Sequence, residues 1–348
     1  MLTSGDRGSK LRAHRCGKPR DFGLYGFRSR TRQHTSPLAG FPSVFRYCGS
    51  ALTFAPPLLR VLTWNLWWRF GDWQRRHESI IRVLQSSAPD IVGLQEVWAT
   101  SNENQAQTLA DMLDMHVAWC PSPAPEHFQR RLGDRSVAVG NAILSRWPIT
   151  RESKCLLPSG ARDAGRTAVF ALIAAPARPV PFFTTQLTSA IGQSALRSDQ
   201  VRALAQFVVD ETPERANPLV TGDFNAEPDS DEIRLLGGHK VPPSLPGLTL
   251  LDAWRYAEPA APGWTWDRLN PAVLATGEPD ARIDYVFLGY RFHNESAPRI
   301  QHARLAGNEP IDGIWPSDHA AVVVDLEMPQ RDRRSSSDRR SPSERITP

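Results

Sequence analysis

A set of short apolar, β-branched runs, each meeting a polar side chain at its end, constrains this fold most. Leu219-Val220-Thr221 gives way to Gly222-Asp223-Phe224-Asn225. A run this short, rich in β-branched residues and bounded by Gly, reads as a buried strand. On an extended backbone Asp223 and Asn225 point to the same side, with Phe224 between them. Other runs lead in the same way into Asn65, Glu96 and Asp284, and one more begins just after Asp318-His319. Each polar residue stands at a strand boundary, where a rigid scaffold can hold it. Oxygen donors of this kind suit Mg²⁺ or Mn²⁺ and not zinc. The chemistry they point to is metal-assisted attack of water on a phosphorus ester.

The segments between these runs decide how the strands are arranged. Trp73 to Gln85 carries Ile80, Ile81 and Leu84 at helical spacing, and Asn104 to Leu113 and Leu196 to Val209 also fit helices. Val137 to Ser145 reads as a strand pair or as one long strand leading to Pro148. Thr167 to Ala174 and Val180 to Leu187 are strands joined by a Pro-containing turn, so they predict an antiparallel hairpin. Gly247 to Trp254, Ala281 to Leu288 and the run after His319 complete the set, and Pro228 is expected to start a short helix. Residues 121–136 read as a polar loop whose Arg130, Arg131 and Arg135 could line a cleft. Hairpins interrupt any simple βαβ alternation. A two-sheet core with helices outside fits better.

Charge divides the chain of 348 residues into three parts. Residues 1–58 hold ten Lys and Arg against two acids, and residues 329–348 hold six against three. The formal net charge is +4, so residues 59–328 are acidic, with 25 basic residues against 32 acidic ones. That argues against a surface that coats long duplex DNA, without excluding a local basic cleft. Both ends lack sustained periodicity and core-forming residues. The expectation is a disordered basic extension over 1–58, or sequence upstream of the true start; a catalytic domain over 59–328; and a disordered polar tail over 329–348. No run reaches the length of a membrane span. Four cysteines without CxxC spacing argue against a disulfide scaffold or a structural zinc site, so the cytoplasm is the expected compartment; a monomer is expected.

Six pieces occur in one order across residues 60–326: Thr63-Trp64-Asn65, Gln95-Glu96, Gly140-Asn141-Ala142-Ile143-Leu144-Ser145-Arg146, Gly222-Asp223-Phe224-Asn225, Arg282-Ile283-Asp284-Tyr285 and Ser317-Asp318-His319. In this the chain resembles the endonuclease/exonuclease/phosphatase superfamily. The resemblance implies a DNase I-like four-layer α/β/β/α sandwich of two packed, mostly antiparallel sheets, acting as a metal-dependent phosphoric ester hydrolase with Mg²⁺ or Mn²⁺. It implies Glu96 as the main metal ligand, with Asn65 and Asp318 close to the metal. Asp223 would hold the attacking water, and Asn225 would donate to that water or to a phosphate oxygen. His319 would contact the scissile phosphate, with its ring fixed by Asp284.

One position departs from the pattern. The family usually has Thr-His-Leu before the long helix; this chain has Thr185-Gln186-Leu187. A glutamine donates through its amide but carries no charge and supplies no acid proton. Arg197 and Gln200, on one helix face, could approach the phosphate or brace a loop, and Arg282 could contact phosphate or form an ion pair. The tryptophans Trp64, Trp67, Trp68, Trp73, Trp264, Trp266 and Trp315 are more often packing than a base-stacking platform. A phosphodiesterase or nuclease ranks first, taking a small phosphoester or an exposed nucleic-acid end. The alternatives are a phosphomonoesterase on a lipid or sugar phosphate, and a catalytically weak binding module.

Overall fold

Two strands that run parallel through a helical crossover stand at the centre of each of two sheets, and this repeated unit places the site. In the computed structural model, which describes residues 58–160, 163–291 and 297–329, the first unit is β1 (Leu58–Asn65), α1 (Trp73–Ser87) and β2 (Ile91–Ala99). The second is β7 (Val180–Gln186), α4 (Ser194–Glu211) and β8 (Leu219–Asp223). Every other strand pairing among the described residues is antiparallel. The expectations for both charged ends fall almost wholly outside the described residues.

The first sheet adds β3 (His116–Pro121), β4 (Ala138–Ser145), β11 (Arg299–Ala306) and β12 (Ala321–Glu327), in the order β11-β12-β1-β2-β4-β3. The second adds β5 (Ile149–Leu156), β6 (Thr167–Ile173), β9 (Leu248–Asp252) and β10 (Asp284–Arg291), in the order β5-β6-β7-β8-β10-β9. The hairpin read from the sequence is β6–β7.

Three apolar clusters set the layers. Val61, Ile91, Ile143 and Val322 of one sheet pack with Val169, Phe182, Leu219 and Val286 of the other. On the outer face of the first sheet, Leu62, Val92 and Leu94 meet Ile80 and Leu84 of α1 and Leu109 of α2 (Gln105–Leu113). On the outer face of the second, Phe170, Phe183 and Val220 meet Val201, Leu204 and Val208 of α4 and Ile233 of α5 (Asp231–Gly237). This is the α/β/β/α sandwich, and each buried aliphatic side chain contributes roughly 1.5–3 kcal/mol. Gly93 shows how closely the sheets approach: a Cβ there would collide with the hydroxyls of Thr221 and Thr184. Among the described residues, no helix is long and apolar enough to cross a membrane.

Some expectations fail locally. Pro228 does not open a helix; α5 starts at Asp231, after Ser230, with Asp231 and Glu232 in its first turn. Residues 121–136 are not all loop, because Glu126–Leu132 forms a short helix, α3, closed by Gly133 in a left-handed conformation. Strands β3, β5 and β11 escape a periodicity reading. β5 and β11 are edge strands with mixed burial and several polar residues, so little of the period survives.

Candidate functional site

Asn65, Gln186 and Asp223 end β1, β7 and β8, while Asp284 and Ala321 begin β10 and β12. A parallel pair that ends where its antiparallel neighbours begin brings all of them to one edge. Asp284 lies opposite Asp223 in the β8–β10 register, and Gln186 lies beside Asp223 in the β7–β8 register. Gly222 makes the second pairing possible: its φ is +150°, and a Cβ would run into the Thr185 carbonyl.

Two details of local geometry correct the sequence reading. Glu96 is inside β2 and not at its end; it has φ +51° where the pairing with β4 slips between Leu94 and Val97. A bulge of this kind re-aims one side chain. Asn225 is not the next outward residue of an extended strand, since its φ is +48°. A turn closes instead: the Asn225 backbone N–H donates to Asp223 Oδ1 at 3.0 Å and its Nδ2 to Oδ2 at 3.2 Å. Asp284, placed near a strand end from sequence, begins β10.

The side chains form one network. Gln186 Nε2 donates to Glu96 Oε1 at 2.7 Å and to Asp223 Oδ2 at 3.1 Å. Asn65 Nδ2 donates to the same Asp223 oxygen at 3.0 Å, while its Oδ1 accepts from the Trp67 N–H at 2.9 Å. His319 Nδ1 is 2.8 Å from Asp284 Oδ2, and Nε2 is 3.5 Å from Asn65 Nδ2. The Trp266 ring meets His319 edge-on at 5.0 Å. Ser317 Oγ donates to the Asn65 carbonyl at 2.7 Å and Trp64 Nε1 to the His319 carbonyl at 2.8 Å, which fixes this loop on β1.

Burial sets the electrostatics. The Asp223 carboxyl is pushed up by burial and by the charge of Asp284, against the pull of His319 and the amides of Gln186 and Asn65. Burial alone would lower the His319 imidazole, but Asp284, Asp223 and Asp318 outweigh it and raise its pKa well above the ordinary value. Asp318 is pushed up to about 7 by burial, with Glu96 adding to the shift. Two carboxylates that repel each other in a buried place fit a divalent cation, and the donors are hard oxygens. A second group, Asp223, Asp284 and His319, has ligand atoms within 4.8 Å of one another. There His319 Nδ1 and one Asp284 oxygen already satisfy each other, and Glu96 and Asp318 are the other set of oxygen donors that could hold an ion.

Residues with two readings resolve differently. Arg197 donates to Glu232 Oε1 at 2.6 Å and to the carbonyls of Thr188, Ala190 and Ile191, while Gln200 holds Thr188 and the Pro158 carbonyl. Both brace the loop after β7. Arg282 pairs with buried Asp252 at 2.7 Å. Trp64 and Trp68 are fully buried, whereas Trp67 and Trp266 line the cleft. Sequence reasoning missed Arg76. Its guanidinium donates to the carbonyls of Leu66, Trp67, Trp68, Phe70 and Pro316, joining the loop after Asn65 to the segment before Asp318. Burial lowers it to about 10, with Asp318 and Glu96 opposing. An arginine on the same helical stripe as Ile80, Val83 and Leu84 was the available signal.

These groups form the floor of a cleft of about 490 Å³ that Glu96, Gln186, Asp223, Asn225, Asp318 and His319 all reach. That volume is in the range of small-ligand sites, ~300–1,000 Å³. Solved structures share the fold. Humanized D. rerio TDP2 superimposes with a TM-score of 0.59 at 20% identity, covering 77% of this chain and 98% of that one. The catalytic domain of human Nocturnin, with bound sulfate, gives 0.59 at 20%, covering 78% and 95%. An endonuclease/exonuclease/phosphatase from Beutenbergia cavernae gives 0.57 at 21%, covering 78% and 72%. No curated protein matches the sequence. The family model for the Endonuclease/Exonuclease/phosphatase family matches residues 62–319, most of the chain and every motif named above. The chain therefore belongs to the Endonuclease/Exonuclease/phosphatase family, whose members are metal-dependent phosphoester hydrolases.

Proposed function

We propose that this enzyme is a phosphodiesterase that hydrolyses exposed ends of nucleic acid by attack of water at phosphorus, and that Mg²⁺ or Mn²⁺ serves it. The observation that carries the reading is the pairing of Asp223 with Asp284–His319 on the floor of the cleft. A carboxylate and a carboxylate-held imidazole face one small volume there. D. rerio TDP2 has been solved with a single-strand DNA product, which supports nucleic acid as the substrate class.

Glu96 and Asp318 would hold the cation, with Asn65 beside them; bound there, it would neutralise charge on a phosphate oxygen. The remaining work falls to the chain's own side chains. Asp223 accepts a proton from the attacking water. Its raised pKa makes it a better base than an ordinary aspartate. The amides of Asn65, Gln186 and Asn225 converge on one of its oxygens, which fixes the carboxylate and leaves acceptor capacity on Oδ1. His319 is held by Asp284 with its Nε2 edge available to a phosphate oxygen. Gln186 stands where the resemblance leads one to expect histidine, and it ties Glu96 to Asp223 without adding charge.

The test is release of p-nitrophenol from bis-p-nitrophenyl phosphate and from p-nitrophenyl phosphate, with Mg²⁺, Mn²⁺ or EDTA. Hydrolysis of the diester that needs metal and disappears in Asp223→Ala and His319→Ala is the expected result. Preference for the monoester would reassign the enzyme to phosphomonoesters. Metal-independent turnover would refute the mechanism.

A further inference from the structure

One wall of the cleft is built by residues outside the six motifs. No side chain of helix α3 is fully buried, and His127, Phe128 and Arg131 reach the cleft. Helices normally form by burying an apolar face. This one packs a cation on an aromatic pair: the Arg131 guanidinium lies 4.1 Å over the Phe70 ring, and Phe70 stacks on Phe128 at 6.0 Å and 23°.

The aromatic faces along this wall are already occupied. Phe70 has Arg131 on it and Phe128 stacked against it. Arg76 lies 4.8 Å from the Trp67 ring, and Arg166 lies 6.0 Å from the Phe128 ring. A base that stacked on Phe70 would have to displace a cation–π pair. The wall therefore presents guanidinium and not open rings.

The two arginines that line the cleft differ in what their charge already does. Arg166 is buried and bound by Asp163 through both Nε and Nη2, at 2.9 and 3.1 Å. Arg131 is exposed and makes no ion pair with a carboxylate among the described residues. Its charge faces a cleft whose floor is acidic, at a position that the Asp223–His319 chemistry does not use.

Resting on the phosphodiesterase reading, we propose that Arg131, seated on Phe70, is a specificity-determining residue that receives a second phosphate of the substrate, so that the enzyme favours a strand bearing consecutive phosphates over a lone phosphodiester. Because its partner is a phosphate, this contact carries no base preference.

The experiment uses the full chain and compares a short oligothymidylate with bis-p-nitrophenyl phosphate, which has a single phosphate. In Arg131→Ala the ratio of kcat/KM for the oligonucleotide to that for the small diester falls about tenfold or more, the size of one lost charge-assisted contact. Oligonucleotide affinity, read by fluorescence anisotropy in EDTA, loses about 0.7 from its slope against log salt, as expected for one phosphate contact on a single strand. Arg131→Lys keeps the salt slope. Arg130→Ala, one residue earlier on α3 and outside the cleft, changes neither the ratio nor the slope. An unchanged ratio or an unchanged salt slope in Arg131→Ala overturns the assignment. The anisotropy arm needs no turnover, so an enzyme that hydrolyses neither ester would count against the phosphodiesterase reading alone.

Discussion

Replacing Gln186 with leucine tests whether the amide bridge holds the site together. The change keeps similar volume and removes a donor shared by Glu96 Oε1 at 2.7 Å and Asp223 Oδ2 at 3.1 Å. A hydrogen bond to a charged group contributes about 1.5–3 kcal/mol. Glu96 is half-buried, so water replaces much of what it loses. Asp223 is 1% exposed and keeps three donors, from Asn65 and Asn225. The net cost is then near one charge-assisted bond, about 2 kcal/mol at neutral pH. Its pH dependence has a definite sign. The Asp223 pKa is raised by burial and by Asp284, and Gln186 opposes that rise. A carboxyl raised in the folded state loses stability as pH rises from its unfolded value through its folded one. Leucine deepens this loss, because the ionised form loses a donor and the protonated form does not need it. The gap between wild type and Gln186→Leu should be widest at neutral pH and narrow on acidification. Urea unfolding in EDTA, followed by tryptophan fluorescence, measures it. A gap under about 0.5 kcal/mol at neutral pH, the scatter of ordinary surface substitutions, or one that does not change with pH, would refute the bridge.

Two further outcomes concern the buried ion pairs in and beside the site. Asp284 is the strongest of the charges that raise the His319 imidazole against burial, so Asp284→Asn should lower that pKa and move the alkaline limb of the kcat/KM profile to lower pH; a limb that stays in place removes Asp284 from this role. The Arg197–Glu232 pair is buried at both ends, so Glu232→Leu strands a guanidinium and should cost about 3–5 kcal/mol in urea unfolding; a cost under 1 kcal/mol would mean that the carbonyls of the β7–α4 loop hold Arg197 alone.

What was legible in the sequence followed the physics of burial. β1, β2, β7, β8 and β12 are buried almost throughout, so their apolar runs are continuous and their ends are sharp. Asn65, Gln186, Asp223 and His319 stand at or beside those ends, and motif order was enough to collect them together with Glu96 and Asp284. Edge strands β5 and β11 carry several polar and charged residues with irregular burial, so no clear period survives and the stretches read as loop. The bulge that turns Glu96 and the turn that turns Asn225 depend on a positive φ at residues other than glycine, which sequence alone does not announce. Arg76 was missed for a different reason: its partners are five carbonyls of other residues, and a carbonyl has no residue type to recognise.

Gln186 shows why the site residues have to be weighed together. Taken singly, a glutamine in place of histidine reads as loss of a proton donor. Between two carboxylates its NH₂ group can donate to both, since neither acceptor can offer a proton while ionised. A neutral histidine has only one N–H and could serve just one of them. An imidazolium could serve both, but would add a charge beside His319, whose pKa three aspartates already raise. The glutamine thus bridges Glu96 and Asp223 and adds no charge beside His319. In the proposed mechanism the phosphate meets His319 on the floor and Arg131 on the wall, and nothing cationic stands at position 186.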